Sequence, residues 1–231
     1  MNVDYIDHMG TDLTVVNAAR VSLAKHHEVM DESDVRLIKH LATHDHWSPF
    51  SHCQVQFRIT APLFVARQLW RSHVGLSGGD CGYMGWNEVS RRYVDEEPEF
   101  YVPDEWRGRP PGSIKQGSGD EVIVDKVAIK GFGHKLTPHE WYDLAIDNMA
   151  SIYNGLIGVG IAPEMARMVL PASVETSWYW TGSLAAWGRI CKLRLDQHAQ
   201  KESRVIAERI AEECRRLFPV SWEALINGRR N

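Results

Sequence analysis

The spacing of apolar and polar positions marks out most elements of the chain. "DESDVRLIKHLATH" puts Val35, Ile38, Leu41 and Ala42 on one face at helical spacing, with Asp31 or Ser33 placed to cap the first turn. "SPFSH" breaks that pattern at Pro49. "CQVQFRIT" alternates Val55, Phe57 and Ile59 with polar residues, the pattern of a strand with one wet face. "APLFVARQLWRSH" predicts a helix with Pro62 near its first position and Gly75 just past its end. "EFYVP" predicts a short strand, and residues 104–119 predict a loop by composition. "TPHEWYDLAIDNMASIYNGLIGVG" opens on a capping box, Thr137 with Glu140, and continues with Trp141, Leu144, Ala145, Met149, Ile152 and Leu156 at helical spacing. "APEMARMVLP" predicts a short helix stopped by Pro171. "SLAAWGRICKLRLDQHAQ" and "KESRVIAERIAEECRRLF" predict two more helices. Because the strands do not alternate regularly with the helices, the expected class is α+β: a helix-rich single domain over residues 1–231 with a small, mostly antiparallel sheet.

Composition narrows the setting. The chain has 231 residues, 44% apolar and 24% charged, with a net charge of −4. That balance offers no global attraction for a nucleic acid polymer or a membrane, so any anion is held by a local cluster of bases. No apolar run reaches the roughly 20 residues of a membrane span. Cys53, Cys81, Cys191 and Cys214 are far apart, which fits free thiols in a reduced, cytoplasmic setting.

The basic residues carry the chemistry. Arg67 and Arg71 stand one turn apart with Gln68 between them, and Arg91 and Arg92 follow a glycine-rich segment, residues 74–86. Arg194 sits at the edge of a helical stripe formed by Leu184, Trp187, Cys191, Leu195 and His198, and Arg167 lies among Met165, Met168 and Val169. A guanidinium in such a place is either paired with an internal acid or binds a ligand. Together these arginines outnumber the acids near them. Their planar forks suit phosphate oxygens and the carbonyl edge of a pyrimidine dione.

Eight blocks in order, "ARVSL", "SPFSH", "APLFVARQ", "NEVSRRYV", "EFYVP", "ARMVLP", "WTGS" and "LRLDQHAQ", make the chain resemble the flavin-dependent thymidylate synthases. The resemblance implies an α+β homotetramer with shared active sites. It implies transfer of a one-carbon unit from 5,10-methylenetetrahydrofolate to dUMP, with FAD reduced by NADPH as the hydride source. It further implies that Gln68, Arg71, Glu88, Ser90, Arg91, Arg92 and Arg167 hold dUMP. Arg194 would grip the uracil edge and stabilise charge on the ring, and so is the catalytic candidate. His52, Arg71, Ser72, His73, Glu88, Ser183 and Arg189 would line the FAD site. Two departures stand out: the family's Arg-His-Arg triplet reads Arg71-Ser72-His73, and the spacer to Ser90 is longer. The altered triplet predicts weaker FAD binding, and the inserted loop 74–86 is expected to cover the shared site.

Other readings fit less of the chain. "GLSGGDCG" has neither the lysine of a phosphate-binding loop nor the context of a dinucleotide fingerprint. His44, Asp45, His46 and His52 lack the further ligands of a metal-dependent phosphohydrolase, and no metal is expected. Cys81 has no neighbouring base to make it a nucleophile. The remaining alternatives are a related pyrimidine-nucleotide (hydroxymethyl)transferase and a non-catalytic nucleotide-binding relative.

Overall fold

Val55, Phe57 and Ile59, the alternating residues of strand β2 (Gln54–Pro62), are all fully buried. The period of two in the sequence has become one wholly apolar strand face. β2 is central to a four-stranded sheet of order β1-β2-β6-β3, made with β1 (Asn2–Met9), β3 (Gly85–Glu88) and β6 (Glu175–Ser183). β1 runs antiparallel to β2, with a register shift between Tyr5 and Asp7 that bulges this edge strand. The coordinates are a computed structural model that describes residues 1–73, 85–112 and 117–228, with only the main chain at residue 73. With eight α-helices among those residues and a small antiparallel sheet, the class is α+β.

The described residues gather into two units. The first comprises residues 1–60, 67–87 and 178–231, and the second 61–66 and 88–177. β2, β3 and β6 each begin in one unit and end in the other.

In the first unit, helices α1 (Asp12–Arg20), α2 (Glu32–Thr43), α6 (Leu184–Arg194), α7 (Lys201–Leu217) and α8 (Pro219–Asn227) build the core with the sheet. Asp31 caps α2 by accepting from the main-chain N–H groups of Ser33 and Asp34. Asp12, at the start of α1, caps α8 from a distance: its carboxylate accepts from the N–H groups of Val220 at 3.0 Å and Ser221 at 2.8 Å. Trp187 of α6 is fully buried, donates to the carbonyl of Val55 at 3.2 Å, and meets Phe57 and Trp180 edge-on. Gln56 on β2 donates to Thr181 on β6 at 2.8 Å. α6 ends at Arg194, where Asp196 accepts from the N–H of His198, so His198 is not on the helical stripe expected for it.

In the second unit, α4 (Pro138–Gly158) starts at the expected capping box, Thr137 accepting from Glu140 N–H at 3.2 Å. Its buried face is Trp141, Ile146 and Tyr153, whereas Leu144 and Ile152 of the expected face are exposed. α5 (Pro163–Ala166) runs into a 3-10 turn at Arg167–Val169. "EFYVP" makes an isolated bridge between Phe100 and Val174 rather than a strand. The expected loop 104–119 folds back on the next residues, with Arg107 bridged to Val122 and Gly108 N–H donating to Glu121. A two-residue pair, β4 (Val127–Ala128) with β5 (Lys135–Leu136), completes this unit.

Candidate functional site

The residues singled out in the sequence divide cleanly between the two units. His52, Gln68, Arg71, Ser72, His73, Ser183, Arg189 and Arg194 lie in the first. Glu88, Ser90, Arg91, Arg92 and Arg167 lie in the second.

Helix α3 (Leu63–Trp70) begins in the second unit and enters the first at Arg67, where it is followed by a 3-10 turn at Arg71–His73. Arg67, Trp70 and Arg71 are exposed. Gln68 and Ser72 face the other way, toward α6 and α7. Arg194, the last residue of α6, is half-buried; its Nε donates to Ser72 Oγ at 3.1 Å and its Nη2 to the main-chain oxygen of Gln68 at 2.7 Å. The Gln68 side chain is anchored in turn: Oε1 accepts from the buried Ser203 hydroxyl of α7, and Nε2 donates to Gln200 at 3.4 Å. Burial lowers the pKa of Arg194 from its ordinary value, and both of its partners are neutral. Ser183 is fully buried and caps α6 by accepting from Ala186 N–H at 3.2 Å. Its structural task is to start the helix that carries Arg189, half-buried, and Arg194. His52 is exposed at the end of a 3-10 segment, Ser48–His52.

Trp70 and Trp86 meet edge-on at 5.1 Å, and Trp86 stacks on Trp178 at 4.7 Å. Of the expected insertion loop 74–86, Gly85 and Trp86 begin β3; its remaining residues, Cys81 among them, lie outside the described residues.

In the second unit, Glu88 at the end of β3 accepts from Thr176 Oγ1 at 3.0 Å. Ser90 Oγ accepts from Arg92 Nε at 3.1 Å, and the Arg92 guanidinium lies over Tyr93, 4.9 Å from the ring centroid. Arg91 donates to the carbonyl of Glu96 at 2.7 Å and Arg167 to the carbonyl of Glu164 at 3.3 Å. The guanidinium groups of the exposed Arg92 and Arg167 thus have hydroxyl, carbonyl or aromatic partners and no acid among the described residues.

Among the described residues, Arg67, Arg71, Arg91, Arg92, Arg167 and Arg194 make no ion pair with an acid. Elsewhere Arg20 is 2.6 Å from Asp34 and Arg216 is 2.7 Å from Glu213. Bases held by neutral groups keep their full positive potential for a ligand.

The cysteines that are described are unsuited to nucleophilic attack. Cys53, Cys191 and Cys214 are buried; burial and the nearby Asp12 carboxylate push the Cys53 thiol up to about 12, and burial raises Cys191 and Cys214 as well. His27, Asp31 and Asp34 come close enough together to resemble a metal cluster, but Arg20 and His27 already occupy the Asp34 carboxylate. Sequence reasoning missed Ser203, which carries no motif, and gave no role to Gln200, the last residue of "LRLDQHAQ"; both reach the site only through folding.

The family model described as "Thymidylate synthase complementing protein" matches residues 4–220, which takes in all of the second unit and most of the first. The flavin-dependent thymidylate synthase of Thermosipho africanus is 35% identical over 221 residues, covering 96% of this chain and 89% of the relative. That of Thermus thermophilus is also 35% identical, over 222 residues, covering 96% and 74%. Among solved structures, the UMP/dUMP methylase PolB from Streptomyces cacaoi bound with 5-Br dUMP superposes with a TM-score of 0.77 at 30% identity, covering 99% of this chain and 96% of PolB.

Proposed function

The chain belongs to the thymidylate synthase complementing protein family, and we propose that it reductively methylates dUMP to dTMP with 5,10-methylenetetrahydrofolate, NADPH and FAD. The observation that carries this reading is the set of six arginines that make no ion pair with an acid among the described residues, because the nucleotide, the folate and the flavin cofactor are all anionic. In this reading Arg71, Ser90, Arg92 and Arg167 bind the phosphate end of dUMP, with Glu88 and Arg91 flanking them. Arg194 donates to a uracil carbonyl and offsets the negative charge that builds on the ring.

Three of the residues expected toward FAD, Arg71, His52 and Arg189, fit it chemically, whereas Ser72 and Ser183 are buried and already engaged, with Arg194 and the start of α6. Arg71 is an exposed guanidinium without an acidic partner among the described residues, suited to a diphosphate, and His52, next to the Cys53 whose carbonyl accepts from Leu184 N–H at the start of α6, offers a further donor. Arg189 adds a third basic group. Bound FAD supplies the reducing hydride of the reaction.

A homotetramer that completes each site from neighbouring copies suits the surface of the second unit. Ile152, Val159, Ile161, Met165 and Met168 are exposed around the end of α4 and α5, an apolar surface of the sort that subunit contacts cover. No helix among the described residues is long and apolar enough to cross a membrane.

The test is reconstitution. Purified protein given FAD is expected to show a bound-flavin absorbance spectrum and dUMP-dependent oxidation of NADPH. Protein that neither retains FAD nor oxidises NADPH with dUMP present overturns the reading.

A further inference from the structure

The altered triplet puts a serine at residue 72, and that serine is not free to serve a cofactor alone. Its oxygen accepts the Nε–H of Arg194 at 3.1 Å, while the residue itself is buried. Gln68 holds the same guanidinium through its main-chain oxygen at 2.7 Å, not through its side chain. The Gln68 amide is instead fastened to α7, its Oε1 accepting from Ser203 and its Nε2 donating to Gln200. A carbonyl oxygen can only accept, so Ser203 must donate, and Ser203 is fully buried. Arg194 is thereby fixed on two of its three nitrogens. Nη1 has no partner among the described residues.

We propose that Ser203, Gln68 and Ser72 form a positioning network that aims the free edge of Arg194 at the pyrimidine carbonyl, and that Ser72 serves Arg194 rather than the flavin. The network preorganises a donor where charge develops, and none of the three side chains needs to touch the reacting atoms. Gln68, assigned to dUMP by resemblance, acts here through its backbone and through α7. The inference rests on the proposed reaction for its catalytic consequence, but not for its structural content.

Four variants test it: Ser72→Ala, Ser203→Ala and the conservative Ser72→Thr and Ser203→Thr. Each is checked for folding by its melting temperature. With FAD and dUMP saturating, each alanine variant is expected to lose about tenfold in kcat, the size of one lost hydrogen bond. Flavin content and the KM for dUMP should stay within about threefold of the parent protein, and the threonine variants should recover most of the rate. A second readout needs no turnover. In the ligand-free protein labelled with 15N, the Arg194 Nε–H signal is expected to be protected from exchange and to lose that protection in both alanine variants. If Ser72→Ala sheds FAD yet keeps full kcat at saturation, Ser72 serves the flavin and the proposal is overturned. Unchanged kcat and unchanged exchange in Ser203→Ala overturn it equally. A parent protein that makes no dTMP defeats the reaction, and the exchange measurement then decides the network by itself.

Discussion

Arg194 donates to the main-chain oxygen of Gln68 at 2.7 Å, joining the last turn of α6 to the end of α3 across 126 residues of sequence. Neither partner is an acid, so the guanidinium is oriented without being neutralised. Its removal should therefore damage chemistry more than folding. Arg194→Ala is expected to lose about 2–4 kcal/mol of transition-state stabilisation, roughly two to three decades in kcat, while its melting temperature moves little. Steady-state kinetics beside a thermal melt check this; near-normal methylation removes Arg194 from the mechanism.

Asp34 makes the opposite prediction. It is fully buried, and although burial by itself raises its pKa, hydrogen bonds from His27 and Arg20 outweigh that and hold the carboxyl below its ordinary value. A carboxyl lowered on folding contributes stability that is present above its unfolded pKa and fades as the pH falls through the folded value. Asp34→Asn leaves Arg20 without its acid, a loss of roughly 3 kcal/mol or more for a broken buried pair. The melting temperature should drop by roughly 6–12 °C at pH 7. Parent and variant should converge in strongly acidic buffer, and melts as a function of pH show whether they do.

Much of the fold was legible because the sequence kept the period that packing uses. β2 alternates and is buried as it alternates, and α4 begins at its capping box. Other elements left weaker signals. β1 is an edge strand with no buried position, so it lacks an apolar stripe. In β6 the buried Trp178 and Trp180 flank the exposed Tyr179, and three successive aromatics hide the alternation. α8 is capped by Asp12, which no local motif reveals. On α4 the packing chose Ile146 and Tyr153 over Leu144 and Ile152, a choice made by tertiary contacts. The basic residues of the candidate site were visible one by one. That Arg71, Arg92, Arg167 and Arg194 make no ion pair with an acid among the described residues, and that Ser203 stands behind Gln68, emerged only with the fold.

Thiol chemistry offers an independent check. Cys53, Cys191 and Cys214 are buried with raised pKa values, so native protein carrying Cys81→Ser should react with a thiol reagent at pH 8 only as fast as it unfolds. The same variant should still form dTMP. Lost activity in folded Cys81→Ser protein would restore a nucleophilic thiol to consideration.

The shared-site reading predicts complementation. Arg71 and Arg92 lie in different units and are proposed to meet one dUMP from different copies of the chain. Arg71→Ala and Arg92→Ala proteins, each inactive, should regain part of the parent activity when mixed under conditions that exchange subunits, since some sites then receive two intact halves. Absence of any recovery after exchange has been verified by mass spectrometry would mean that each site belongs to one chain.

The central claim is carbon transfer to dUMP, and the fate of a labelled carbon tests it most directly. Protein supplied with FAD, NADPH, dUMP and 5,10-methylenetetrahydrofolate carrying 13C in its methylene group should yield dTMP with the label in its methyl group, and omission of FAD or of NADPH should abolish the product. Recovery of unchanged dUMP with the flavin bound, or of labelled hydroxymethyl product in place of dTMP, would contradict the account.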